Sequence, residues 1–142
     1  MPTTISGSTG VSQVQDGVIT AADLDGAQTG SAPIYGCRAW VNFDGTKDST
    51  GATSTANTNR LILGSGNVAS VLRNAAGNYT INFTTAMPDA NYGVTLGSGL
   101  GSQTARYVVI AGSPTSSGVT VATASSTPTF NDSNYVTVSI FR

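Results

Sequence analysis

Residues 78–84 read NYTINFT, and every position obeys a two-residue period. Tyr79, Ile81 and Phe83 fall on one face; Asn78, Thr80, Asn82 and Thr84 fall on the other. Successive side chains of an extended strand point to opposite sides, so the pattern predicts an antiparallel strand with one face buried and one solvated. The same alternation runs through 38–43, where Ala39, Val41 and Phe43 oppose Arg38, Trp40 and Asn42, and through 135–141, which groups Val136, Val138 and Ile140. Shorter apolar runs at 61–63, 68–72, 92–96, 107–110 and 119–122 complete a set of eight strand candidates.

Between these runs stand turn residues and no helical period. Asp44-Gly45 predicts a turn after the first strand, Ala76-Gly77-Asn78 separates two others, and Pro88 opens a turn over 87–91. Missing helices exclude a parallel βαβ sheet. Regularly spaced short strands predict an all-β fold, an antiparallel sandwich or a barrel. The polar insertions 45–59 and 111–118 read as exposed loops, where a surface-reading function would live.

Residues 1–33 have a different texture. Their apolar residues, Ile5, Val11, Val14, Val18, Ile19 and Leu24, are scattered among Gly, Ser, Thr and Gln, and all ten aromatics lie from Tyr35 onward. The expected organisation is an extended N-terminal arm over 1–33 and a compact domain over 34–142, joined at Ser31-Ala32-Pro33. Thr20-Ala21-Ala22-Asp23 resembles a capping box and allows one helical turn. Ordering a residue costs about 1–2 kcal/mol of backbone entropy, so such an arm is expected to find its partner in another protein chain. Its six apolar residues are the candidate anchors.

Composition narrows the function classes. The 142 residues contain no His, no Glu, one Lys, five Arg and seven Asp, for a net charge of −1. General acid–base chemistry near neutral pH has few candidates, and an enzyme is not expected. Gly, Ser, Thr and Asn supply 65 residues, nearly half the chain. Val, Leu, Ile and Phe make up about a fifth, enough for a thin core, and the low net charge argues against disorder. Scattered charge offers no basic stripe for nucleic acid, and no apolar run approaches a membrane span. The start Met1-Pro2-Thr3-Thr4 lacks signal-peptide character, so classical secretion is not expected.

Individual residues favour structural roles. A glycosidase would need two Asp residues facing one bond, and no pair stands out. Asp16, Asp25 and Asp44 each precede Gly and read as turn residues; Asp23 and Asp25 match only part of a calcium loop, so neither metal nor cofactor is expected. Gly97-Ser98-Gly99-Leu100-Gly101 lacks the Lys of a phosphate loop and reads as a flexible connection. Cys37 has neither a disulfide partner nor a His to activate it and reads as a small buried side chain. The tyrosines at 35, 79, 92, 107 and 135 fall mostly in strands and favour core or interface positions. Trp40, opposite the apolar face of its strand, suits either a subunit interface or a ring exposed for sugar stacking; the interface is favoured because Trp is enriched at binding hot spots.

The stretches CRAWVNFDGT (37–46), GNVASV (66–71), GNYTINFTTAMPDANY (77–92) and the closing VTVSIFR (136–142) together resemble a C-terminal domain recurrent in tail-fibre-like and other virion surface proteins of tailed bacteriophages. The resemblance spans about residues 34–142. It implies an antiparallel, jelly-roll-like β-sandwich knob, commonly trimeric, on the outside of a virion that is assembled in the bacterial cytoplasm. Only the short arm precedes the knob, where a typical fibre has a shaft. Two structural readings follow: a tail-fibre-type knob contacting a host glycan or protein, and a capsid decoration or head-fibre protein whose arm binds the shell. A glycan depolymerase is a remote third. No particular receptor-binding residues are singled out.

Overall fold

The computed structural model describes residues 36–100, 106–125 and 129–142. The six arm residues proposed as anchors, the helical turn at 20–25, and Asp16, Asp23, Asp25 and Tyr35 lie outside them. Eight strands form, with no helix among the described residues: β1 (Cys37–Asp48), β2 (Arg60–Gly66), β3 (Val68–Ala75), β4 (Asn78–Phe83), β5 (Gly93–Gly99), β6 (Tyr107–Ile110), β7 (Gly118–Ala124) and β8 (Tyr135–Phe141).

They pair antiparallel in two sheets of four, ordered β2-β1-β8-β5 and β3-β4-β7-β6. The packed sheets make the expected β-sandwich. Hairpins join β1 to β2, β3 to β4 and β6 to β7, and the other four connections cross between sheets. The tightest crossing is the single residue Asn67 between β2 and β3, held at φ 55°. Its side-chain amide donates to the carbonyls of Arg38 (3.1 Å) and Thr85 (3.0 Å), and its Oδ1 accepts from the Thr85 N–H (2.7 Å). Asn enters the left-handed region more readily than other non-glycine residues, and here its side chain also ties the crossing to β1 and to the segment after β4.

The core follows from the alternation. Ala39, Val41 and Phe43 of β1 and Val136, Val138 and Ile140 of β8 meet Val71 of β3, Tyr79, Ile81 and Phe83 of β4, and Val119 and Val121 of β7. Phe43 packs edge-to-face on Tyr79 at 5.1 Å, and Phe83 on Tyr92 at 5.8 Å. Such pairs contribute about 0.5–1.5 kcal/mol beyond simple burial. Met87 and Tyr92 extend the core under the β4–β5 connection, where the Tyr92 hydroxyl donates to the carbonyls of Thr115 and Gly118 (3.0 and 2.9 Å).

Two expected loops prove to be strand. Asp44-Gly45 lies inside β1, whose pairing with β2 is irregular between Asp44 and Asp48. The Asp44 carboxylate accepts the Thr46 N–H (2.9 Å) and hydroxyl (2.6 Å), a turn-like contact absorbed by the irregularity. Gly45 is required for room, since a Cβ there would strike the Tyr79 phenol and the Ser133 carbonyl. Gly97, Ser98 and Gly99 likewise belong to β5, paired residue by residue with β8. The first insertion is therefore a loop only over 49–59, and Gly118 at the end of the second is already part of β7.

Candidate functional site

Two exposed surfaces and one interior network are candidates for function. The first surface is the outer face of the β2-β1-β8-β5 sheet. Residues paired across strands share a face, so register defines its rows. One row runs Gly66, Trp40, Ser139, Thr95; the next runs Gly64, Asn42, Thr137, Gly97. Neither row contains a charged side chain.

Trp40 is 45% exposed. A Cβ on Gly66 would come within 2.6 Å of its Nε1 and 2.9 Å of its Cδ1, and a Cβ on Gly64 within 3.2 and 3.4 Å of its Cη2 and Cζ3. The two ends of the indole therefore rest over the two glycines, with its long axis along β2. Glycine is needed there because any larger residue would lift the ring. Beside it, Asn42 Oδ1 is a buried atom that accepts no hydrogen bond among the described residues, while Tyr135 and Phe141 stand exposed on the same face of β8.

The second surface lies on the outer face of the other sheet, at its β6 edge. Ala124 is flanked by Tyr107 of β6 and by Phe130, with which it forms an isolated bridge. Those rings are 57% and 58% exposed, and Val109, opposite Ala122 in the neighbouring row, is 52% exposed. Two aromatics and a valine thus form an open apolar strip beside the free backbone edge of β6.

The interior network closes one end of the sandwich. Asp132 accepts the Tyr79 hydroxyl (2.6 Å) and the Gly77 N–H (2.8 Å), and pairs with Arg73 through Nε (3.1 Å to each oxygen) and NH2 (3.0 Å). Arg73 NH1 reaches on to the Thr55 carbonyl and Asn57 Oδ1, both at 2.6 Å. Burial pushes the Asp132 carboxyl up, but the hydrogen bonds from Arg73, Tyr79 and Gly77 and the Arg73 charge outweigh it and hold the group below the ordinary Asp value. Burial, with Asp132 second, drives the Tyr79 phenol well above its ordinary value.

Arg60, 2% exposed, makes no ion pair within 4 Å among the described residues. It donates to the carbonyls of Ser54 (2.9 Å), Ala56 (2.6 Å) and Thr58 (3.1 Å) and to the Thr58 hydroxyl (2.8 Å). Both arginines fasten the 49–59 loop. Both carboxylate oxygens of Asp132 are engaged by the fold itself, so the network braces this end of the sandwich.

The residues singled out by sequence separate accordingly. Trp40 stands on the outer face, as its parity requires. Tyr79 and Tyr92 are core, but Tyr107 and Tyr135 are more than half exposed. Cys37 is also exposed, not buried: it opens β1 beside Phe141, and its thiol donates to the Ala39 carbonyl at 3.3 Å. Being the first residue of the strand, it lies outside the core rows. Among the described residues no group of three or more His, Cys, Asp or Glu side chains could hold a metal, and no helix is long and apolar enough to cross a membrane.

Sequence reasoning passed over Arg60, Arg73 and Asp132. The signal was parity, because Arg73 shares a face with Val71 and Arg60 with Ile62. Comparison of the chain with family models, curated proteins and solved structures found no match.

Proposed function

We propose that this chain is a non-enzymatic structural protein of a tailed-bacteriophage virion, a trimeric knob that residues 1–33 anchor to the particle and that contacts the host surface. The observation that carries this reading is where the resembling stretches fall in the fold. RAWVNF lies in β1, NYTINF is β4 and VTVSIF is nearly all of β8, all interior strands of their sheets, while MPDANY contributes the buried Met87 and Tyr92. The resemblance thus lies in the framework that a knob of this kind shares.

The apolar strip of Tyr107, Val109 and Phe130 supports self-association. Covering it and the adjoining β6 edge would remove three exposed apolar side chains and a row of open backbone groups from water. A mass measurement in solution at micromolar concentration is expected to give three chains per particle; a monomer alone overturns the trimer.

Location on purified virions, by gold-labelled antibody or image reconstruction, tests the rest. Label at the tail tip is the expected result. Regular copies over the capsid would replace the tail reading with capsid decoration, and absence from the particle would overturn both.

A further inference from the structure

We infer that the outer face of the β2-β1-β8-β5 sheet is a carbohydrate-binding site, in which Trp40 stacks on the ring of a neutral hexose. The inference rests on the geometry of that face, and on the proposed function only for where the glycan would be found.

The indole is supported from below by the backbones of Gly64 and Gly66, which a side chain at either position would disrupt. Nearly half of the residue remains open to solvent. An aromatic face carries partial negative charge, and the C–H groups along one side of a pyranose carry partial positive charge, so the two surfaces attract when laid flat. The surroundings supply what a sugar needs at its rim. Ser139 and Thr95 lie in the Trp40 row, with Asn42 and Thr137 in the next, offering hydroxyl and amide groups and no charge. Gly97, paired with Thr137, adds no side chain of its own to that row.

A protein partner fits the two rows around Trp40 less well, although Tyr135 and Phe141 are exposed at the ends of β8 on the same face. A stable interface buries about 800 Å² on each side around an apolar centre, whereas the indole, the one aromatic side chain in those rows, supplies about 150–250 Å². The Trp40 and Asn42 rows otherwise present only hydroxyls, one amide and glycine. The two rows themselves carry no charge and so favour a neutral sugar, with the exposed Arg38 two residues before Trp40 on the same face of β1.

Trp40 is the only tryptophan in the chain, so its emission reports on the site directly. The full-length protein is titrated with neutral hexasaccharides of glucose, mannose and N-acetylglucosamine up to about 10 mM, which registers millimolar dissociation constants. At least one is expected to give a saturable change in intensity or wavelength, and acrylamide is expected to quench the free protein. By calorimetry, Trp40→Ala should weaken that sugar at least about tenfold with the far-ultraviolet circular dichroism unchanged. Gly66→Val keeps the indole but tilts it, and should weaken the sugar in the same direction. Emission indifferent to all three sugars overturns the site. So does a ring shielded from acrylamide whose removal lowers the oligomer mass, because Trp40 would then lie between copies. Neither result depends on where the protein sits on a virion, so this inference and the proposed function can fail separately.

Discussion

The closed end of the sandwich and the face that carries Trp40 use similar polar residues to opposite ends. Around Asp132, carboxylate, guanidinium, phenol and backbone N–H are aimed at one another, and Arg60 turns all its donors onto a single loop. On the Trp40 face, Ser139 and Thr95 share the outer row with an indole that is half open, and Tyr135 and Phe141 are exposed farther along β8. The contrast separates structural chemistry from available chemistry: groups saturated by the fold stabilise it, and groups the fold leaves unsatisfied can meet a ligand. It also explains why the charged cluster, which most resembles an active site, is the less promising place to look for one.

The sharpest way to break this contrast is Asp132→Ala. Arg73 would keep its burial without its carboxylate, and Tyr79 and Gly77 would each lose an acceptor. Removing one partner of a buried pair costs about 3–5 kcal/mol, a loss that urea denaturation would register as a large fall in midpoint. A variant within about 1 kcal/mol of the parent would show that the brace is dispensable.

A smaller effect is expected from pH. Because the folded Asp132 carboxyl titrates below its unfolded value, its contribution is complete above about pH 4 and disappears as pH falls through the lowered folded value. Asp48 and Asp89, held down mainly by hydrogen bonds from Thr50 and from the Asn91 N–H, act in the same direction. Denaturation midpoints should therefore be level from pH 7 to about pH 5 and decline below about pH 4, less steeply in Asp132→Asn. Equal slopes in the two proteins would remove Asp132 from the account.

The smallest effect belongs to the open face. Trp40→Ala should cost about 1 kcal/mol or less, the range of a cross-strand contact, while weakening the sugar at least about tenfold by calorimetry. A loss as large as that of Asp132→Ala would make the indole part of the frame.

The strands were legible because burial writes itself as a period of two. Phe43, Ile81 and Val138 each sit in an alternating run, and all three are core. Asp44-Gly45 misled because the same dipeptide serves a turn or a bulged strand, and only the Tyr79 ring overhead decides which. Gly97 was similarly ambiguous until paired with Thr137. The brace was hidden for a different reason. Arg73 and Asp132 are far apart in sequence, and hydrophobic periodicity assigns no interior role to a charge. The Trp40 face was half legible: parity placed the ring outward, but its seat on Gly64 and Gly66 depends on cross-strand register.

The position of β8 governs when such a chain can become whole during synthesis. The four strands of the other sheet all precede it, whereas β1 and β5 wait with facing edges open until it arrives between them, pairing Val41 with Val138 and Leu96 with the same residue. A chain interrupted before Tyr135 would expose two unpaired edges and lack a central row of the interior. Prematurely terminated copies would therefore be open to proteases and to edge-to-edge pairing, because the sheet closes only when the last strand has been made.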